Sequence, residues 1–189
     1  VLLSLVLSPD DAIQGEAVRF LYLHVPMVTL MYVGFGISAA SSVAYLWKRT
    51  LGWDRLAGAA AEVGVLLTAL GLFTGMLWGR TTWGVYWTWD ARLTSTALLF
   101  VLELGYLAVR RLPASFEARA RRSAYVALLA FVDVPIVHWS VDWWNGLHQK
   151  RTLNVRHASI NGLMLFTLFV GFVAMTLGFT SGAIGTFFM

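Results

Sequence analysis

Cysteine is absent from the 189 residues of the chain, and lysine occurs only as Lys48 and Lys150. The absence of cysteine excludes disulfides, cysteine-ligated metal clusters and covalent attachment of a cofactor through a Cys-x-x-Cys-His motif. Neither lysine lies in a Gly-x-x-x-x-Gly-Lys-Ser/Thr loop. Any ATP hydrolysis that serves this protein is therefore expected to come from another subunit.

Charged residues are also scarce, at 13%, whereas hydrophobic residues make up 58% of the chain. This balance predicts a polytopic membrane protein surrounded by lipid, with the fold class of an all-α bundle of transmembrane helices. The net charge is +4. The basic residues cluster in short loops between apolar runs, so we expect no nucleic-acid partner.

Long apolar runs divide the chain into membrane spans within a single domain, residues 1–189. Residues 1–7 look like the end of an earlier span, so we expect six spans with the first largely missing. Pro26 and Pro135 predict kinks, because proline removes a backbone donor. Residues 178–185 are rich in glycine, so we expect them not to form a regular helix and to leave the membrane. The complete predicted spans are Phe20–Trp47, Leu56–Leu77, Leu93–Val109, Ser123–Val141 and Ser159–Phe179.

Arginine in the loops predicts the orientation of these spans. The 48–55 and 110–122 connections hold eight of the fourteen lysines and arginines, and the 110–122 loop is the most basic. The positive-inside rule places these connections in the cytoplasm. The 78–92 loop and the 142–158 loop then lie on the extracytoplasmic side.

Tryptophan is concentrated in the 78–92 loop, where four of the nine tryptophans fall within twelve positions. One interpretation is an aromatic belt at the level of the lipid headgroups. A belt needs only one or two rings, whereas this cluster contains glycine spacers and a closing Asp-Ala-Arg. We therefore favour a flat apolar platform for a planar ligand.

A porphyrin meets the requirements of such a platform, because it is an apolar disc with a metal and two carboxylates. His24 and His148 lie at the outer ends of separate elements and are predicted as axial ligands of the metal. Asp90 is expected either to pair with Arg92 or to orient a donor. The residues predicted to bind the disc and its carboxylates are Trp83, Tyr86, Trp87, Trp89, Trp143, Trp144, Arg19, Arg80 and Arg92.

Other polar residues have simpler interpretations. His138 is either a third ligand, a partner of a ligand or a hydrogen-bonded structural residue, and the last is favoured. His157 is expected at the membrane interface. Glu62, Glu103 and Asp133 are costly in lipid, so we expect them to face the bundle as packing or kink residues, with a proton path as the alternative.

Three segments resemble the CcmC family, haem-handling membrane proteins of cytochrome c maturation. The first reads Arg-Phe-Leu-Tyr-Leu-His-Val-Pro over 19–26, and the second is the tryptophan-rich 83–94 segment ending in Asp-Ala-Arg-Leu-Thr. The third reads Val-Asp-Trp-Trp-Asn-Gly-Leu-His-Gln over 141–149. The related CcmF and CcsA proteins usually follow Trp-Asp with proline and an acidic residue, so the match to CcmC is specific.

The resemblance implies a non-covalent, b-type haem held on the outer face of the bacterial inner membrane by His24 and His148. It implies a haem-transfer factor that presents haem to CcmE, a membrane-anchored chaperone. It also implies CcmA and CcmB, the subunits of an ABC-type complex, and CcmD, a small single-span protein, as partners. The alternatives are a permease subunit that exports haem, and a structural scaffold that binds none.

Overall fold

Five long helices form the protein in the computed structural model, which describes residues 8–11, 14–144, 146–148, 153–154, 157–158 and 162–188. The predictions for residues 1–7 and for the side chain of His157 lie outside this description. A short 3-10 helix, Glu16–Phe20, precedes the first long helix. The other elements are α1 (Leu21–Lys48), α2 (Leu51–Trp83), α3 (Ala91–Arg111), α4 (Phe116–Phe131), α5 (Asp133–Trp143), β1 (Leu153–Asn154), β2 (His157–Ala158) and α6 (Gly162–Phe188).

The membrane spans are α1 with the preceding 3-10 helix, α2, α3, α4 together with α5, and α6. Each is long and apolar enough to cross a bilayer, so the five complete spans predicted within this chain are confirmed as long apolar helices. The strands β1 and β2 pair in antiparallel fashion as a minimal ribbon before α6. The chain is therefore a multi-pass membrane protein with an all-α bundle.

Alternation of the spans gives the bundle two chemically different ends. Helices α1, α3 and α6 begin at one end of the bundle, where α2 and α5 also terminate. We call this the histidine end, because it holds His24, His138 and His148. The opposite end, where α2 and α4 begin, is the arginine end. Seven of the nine tryptophans lie at the histidine end: Trp78, Trp83, Trp87, Trp89, Trp139, Trp143 and Trp144.

Small residues allow α1 and α2 to pack closely. A Cβ on Gly34 would lie 3.1 Å from the Ala60 carbonyl oxygen, and one on Gly64 would lie 2.7 Å from the Phe35 ring. Association of helices in lipid relies on such close van der Waals contact, because the hydrophobic effect does not favour one apolar surface over another there. The α1–α2 pair forms the centre of the bundle, and α4 and α6 both pack against α1.

Pro26 and Pro135, the prolines within the spans, each leave one carbonyl group without its usual helical hydrogen-bond donor. Pro135 removes the donor that would reach Phe131, and α4 ends at that residue. Pro26 lies inside α1 and removes the donor for the Tyr22 carbonyl. A Cβ on Gly171 of α6 would lie 2.5 Å from that same Tyr22 oxygen. Glycine at this position therefore lets α6 approach the carbonyl that Pro26 frees.

Two predicted boundaries are wrong. Helix α6 continues to Phe188, so the glycine-rich 178–185 segment stays helical. A Cβ on Gly182 would lie 3.2 Å from Val63, which indicates that this glycine serves close packing against α2. Helix α2 continues to Trp83, so the first part of the predicted 78–92 loop is helical as well.

A buried carboxylate ties three helices together at the arginine end. Asp54 of α2 is 2% exposed and accepts hydrogen bonds from both terminal nitrogens of Arg110, at 2.6 and 3.1 Å. Arg119 of α4 donates a further bond at 3.3 Å. A buried charge needs such full pairing, because the loss of hydration is otherwise uncompensated.

Candidate functional site

His24 lies in the first turns of α1, against the last turns of α2. Its Nδ1 atom is 3.0 Å from the hydroxyl oxygen of Thr74. Its ring meets Trp78, one turn further along α2, edge-on at 5.7 Å between ring centroids. A Cβ on Gly75 would lie 3.0 Å from the His24 ring, so glycine provides the space that the imidazole fills.

The hydrogen bonds of Thr74 determine which nitrogen of His24 carries the proton. The Thr74 hydroxyl donates its single proton to the Leu70 carbonyl at 2.8 Å, with the Gly71 carbonyl at 3.2 Å. The hydroxyl oxygen can then only accept from His24, so Nδ1 donates. The lone pair of the neutral imidazole is consequently on Nε2, where it is available to a metal.

His148 is held in the same way by a carboxylate. Its Nδ1 is 2.9 Å from Oδ2 of Asp90. Oδ1 of Asp90 accepts from the Leu93 amide at 2.8 Å and caps α3, and Oδ2 also accepts from Thr88 at 3.3 Å. Because the carboxylate acts as an acceptor throughout, Nδ1 of His148 donates and Nε2 keeps its lone pair.

Burial lowers the pKa of His148 from its ordinary value, because a desolvated imidazolium loses hydration. The neighbouring Asp90 carboxylate opposes this shift and Arg92 adds to it, but burial dominates. The imidazole of His148 therefore stays neutral to a lower pH than a histidine in water. Neutrality is the state that a metal ligand requires.

Both imidazoles lie at the histidine end and contact tryptophans of the same helix, α2. His24 meets Trp78 edge-on, and His148 packs edge-on against Trp83 with 4.7 Å between ring centroids. Trp78 and Trp83 are five residues apart, near the end of α2. That the two histidines act together on one ligand stays a prediction.

The segment from Trp83 to Trp89 forms an aromatic surface. Gly84 ends α2 with a φ of 79°, a left-handed conformation that favours glycine at this position. Arg80 donates to the Gly84 carbonyl and lies over the Tyr86 ring at 5.7 Å. Trp87 packs edge-to-face on Trp89 at 5.5 Å, and Trp89 is 81% exposed.

The segment around residue 144 completes the site on the other side. Asp90, Arg92, Trp144 and His148 line one small crevice of about 10 Å³. Trp144 is 68% exposed. A Cβ on Gly146 would lie 3.2 Å from Cβ of Asp90, so glycine allows this segment to approach the start of α3. The crevice is about the size of one water, so any larger ligand rests on the outer surface.

The arginines predicted to meet carboxylates differ in their surroundings. Arg92 donates to the carbonyl of His138 at 3.1 Å, which links α3 to α5 beside His148. Arg19 pairs with Asp10 at 3.3 Å and approaches Glu16 at 3.8 Å. Arg19 therefore organises the segment before α1, whereas Arg92 lies within the crevice itself.

The remaining polar predictions fall elsewhere. The His138 ring is exposed and stacks edge-on with Tyr32 and Trp139. Trp143 lies 6.2 Å from Trp139, on the same exposed aromatic surface. Glu103 and Asp133 are buried in the bundle, as predicted, whereas Glu62 is exposed in a cleft at the arginine end, so that prediction is wrong for Glu62.

Three residues that the sequence did not single out as site residues define the surroundings of His24: Thr74, Gly75 and Trp78. Thr74 orients the imidazole, Gly75 makes room for it and Trp78 flanks it. Trp78 also donates to the Gln14 side chain at 2.9 Å. The spacing of 74 and 78 on one helical face was a usable signal, since such positions are neighbours on a helix.

The fold and the site define a multi-pass membrane protein with two oriented imidazoles beside an exposed aromatic surface. Comparison with known proteins specifies its class. The sequence profile of the family described as Heme exporter protein C, CcmC, matches residues 1–187. The chain belongs to this family.

Several named relatives are similar over most of this chain. Heme exporter protein C of Bradyrhizobium diazoefficiens is 40% identical over 93% of the chain, which spans 67% of that relative. Heme exporter protein C of Haemophilus influenzae is 38% identical over 79% of the chain and 61% of its own length. Its counterpart in Escherichia coli K12 is 35% identical, and the chain matches 59% of it.

Proposed function

We propose that the protein binds haem at the histidine end and presents it to a membrane-anchored chaperone of the CcmE type during cytochrome c biogenesis. The observation that carries the proposal is the matched orientation of two imidazoles. His24 and His148 each donate through Nδ1 to a fixed acceptor, so that each keeps a lone pair on Nε2. Two neutral imidazoles are a usual axial ligand pair for haem iron.

The surrounding residues fit a haem cargo. The exposed indoles of Trp89 and Trp144 supply apolar area for the disc, and Trp83, Trp87, Tyr86 and Trp143 extend it. Arg92, which lines the crevice together with His148, is the cation best situated for a propionate. The crevice is too small to enclose a ligand of this size, so haem would lie against the surface with one edge open to a partner.

The residues of this chain perform binding, orientation and exposure rather than bond-making. Thr74 and Asp90 hold the imidazoles, and the aromatic surface shields one side of the disc from water. The haem would be non-covalent and b-type, since the chain has no cysteine. The histidine end would face the extracytoplasmic side of the bacterial inner membrane, because the arginine-rich loops favour the cytoplasm.

The partners follow from family membership. We propose that the protein works with CcmA- and CcmB-type subunits of an ABC complex and a small CcmD-type protein. The lack of a nucleotide-binding loop in this chain is consistent with ATP hydrolysis in another subunit. Relatives bear the name Heme exporter protein C, which suits a complex of this kind.

The test is the visible spectrum of the purified protein with haem. We expect low-spin bands for the wild type, and loss of those bands with retention of less haem in His24→Ala and His148→Ala. His138→Ala is the matched control, because His138 lies at the same end with an exposed ring that stacks on aromatic residues. Its bands should match those of the wild type.

Three outcomes would contradict the proposal. Unchanged low-spin bands in both ligand variants would remove the axial assignment. Haem uptake into sealed vesicles that persists in the His24→Ala, His148→Ala double variant would favour an exporting permease. A protein that purifies without a Soret band and takes up no added haem would indicate a scaffold.

A further inference from the structure

A cleft opens between α2, α4 and α6 at the arginine end, far from the two imidazoles. Its volume is about 450 Å³. One face of α2 supplies Leu51, Arg55 and Glu62, spaced by whole helical turns. The other walls include Arg110, Arg119, Phe116, Thr186 and Phe187. This volume lies within the range of sites that hold small molecules.

Positive charge is in excess at the cleft. Three arginines line it, and they face two carboxylates, the buried Asp54 and the exposed Glu62. Arg110 and Arg119 are fixed in place by Asp54. Arg55 is exposed and makes no ion pair within the described part of the chain. The cleft therefore offers one cation without an ion pair among the described residues, Arg55, together with two that Asp54 holds.

The walls require an occupant that is apolar as well as anionic. Leu51 and Phe116 are exposed apolar side chains beside the cationic groups. All the helices that line the cleft belong to membrane spans, and the lining begins at Leu51, the first residue of α2. The cleft therefore lies toward one end of the bundle, where a headgroup region would be expected. Basic pockets between transmembrane helices at this level suit anionic lipid headgroups.

We infer that this cleft binds the phosphodiester headgroup of an anionic phospholipid, with Arg55 as the adjustable contact and Arg110 and Arg119 as the fixed floor. The acyl chains would run along the exposed apolar surface of α2 and α4. Glu62 repels the headgroup and limits its affinity. This inference is independent of haem binding at the opposite end.

The test is native mass spectrometry of the full chain in neutral detergent, titrated with phosphatidylglycerol or phosphatidylcholine. We expect preferential retention of phosphatidylglycerol. Arg55→Gln should weaken its binding about five-fold, from the typical contribution of one basic residue near an anionic lipid. Glu62→Gln should strengthen binding by a similar factor. Arg121→Gln is the matched control, because Arg121 is exposed on α4 outside the cleft.

Four results would overturn the inference. One is equal affinity for the two lipids. Another is an effect of Arg121→Gln as large as that of Arg55→Gln. Displacement of the lipid by millimolar inorganic phosphate would identify a site for soluble anions. Displacement by haem would identify a second porphyrin site.

Discussion

Replacement of Asp90 by asparagine separates the two tasks of this side chain. Its Oδ1 caps α3 through the Leu93 amide, and its Oδ2 accepts from His148. Asparagine caps helices as well as aspartate does, so its one amide oxygen can keep the cap. The amide nitrogen then faces His148 and donates, which forces the imidazole to accept at Nδ1. The proton moves to Nε2, and the lone pair predicted to bind iron is lost.

The expected loss of haem affinity can be estimated from residues that hydrogen-bond to metal ligands in other proteins. Loss of such a partner costs about 10- to 100-fold in affinity, or about 1.4 to 2.8 kcal/mol. We therefore expect the Kd for haem to rise by about that factor in Asp90→Asn. Because the helix cap survives, the thermal unfolding midpoint should stay within about 2 °C of the wild type.

The pH profile gives a second, independent sign. Burial lowers the pKa of His148 below its ordinary value near 6.5. Protons therefore compete with iron for this imidazole only at a lower pH than they would for a histidine in water. The Asp90 carboxylate raises this pKa, which means that its neutralisation lowers the pKa further. The pH below which haem is released should therefore be lower in Asp90→Asn than in the wild type, although the affinity at neutral pH is weaker.

The assay is a titration of the haem-free protein with haem in detergent, monitored through the Soret band. Thermal unfolding is measured in parallel. Asp90→Ala loses both tasks and should lower the midpoint as well as the affinity. Ser115→Ala removes the cap of α4 at the opposite end and is the control for stability alone. Wild-type haem affinity in Asp90→Asn would refute the reasoning, as would an affinity loss in Ser115→Ala.

The other predictions concern His24, the buried ion pair and helix packing. Thr74→Val removes the acceptor for His24 and should weaken haem binding about ten-fold, measured by the same titration. Asp54→Asn removes the buried charge that pairs with Arg110 and Arg119 and should destabilise the protein by about 3–5 kcal/mol, measured by thermal unfolding. Gly171→Ala places a methyl group 2.5 Å from the Tyr22 oxygen and should cost about 1–3 kcal/mol in the same assay.

Each of these changes has a matched control in the chain. Thr68→Val also removes a threonine hydroxyl that donates to a carbonyl within α2, but no histidine depends on it. Asp10→Asn breaks an exposed ion pair and should change stability by less than about 1 kcal/mol. Gly178→Ala adds a methyl group with no atom within 4 Å. A control that behaves like its partner would contradict the corresponding argument.

The spans and the end of the bundle that holds both histidines could be predicted from the sequence, because both depend on local properties. A run of about 20 apolar residues suffices to cross a bilayer, and alternation then assigns each loop to an end. Counting the spans in this way is enough to place His24 and His148 at the same end of the bundle. The tryptophan-rich segment was recognisable because its composition departs sharply from that of the spans.

Helix ends could be predicted less accurately than the spans, because tertiary packing and lipid extend helices beyond their local preference. Glycine disfavours helices in water, but a backbone in lipid has no water to satisfy its polar groups and stays helical. Gly182, packed against Val63, illustrates this in α6. In α2, the hydroxyls of Thr81 and Thr82 both donate to the Trp78 carbonyl, within the part that was predicted as loop.

The orientation of the two imidazoles could not be predicted, because each depends on a partner far away in the chain. His24 and Thr74 are 50 residues apart, and His148 and Asp90 are 58 apart. The choice between an Asp90–Arg92 pair and an oriented donor stayed open for the same reason. Within the described residues Asp90 holds His148, whereas Arg92 donates to the His138 carbonyl of α5.

Each histidine is held by a residue of another element, so the proposed haem site depends on how the helices pack. The partner of His24 is on α2, and the partner of His148 is the first cap of α3. Helices α2 and α3 are joined by the aromatic segment from Trp83 to Trp89. A displacement of α2 relative to α3 would therefore disturb both imidazoles and the proposed platform together. A partner that moved these helices would therefore alter the haem retention that we propose.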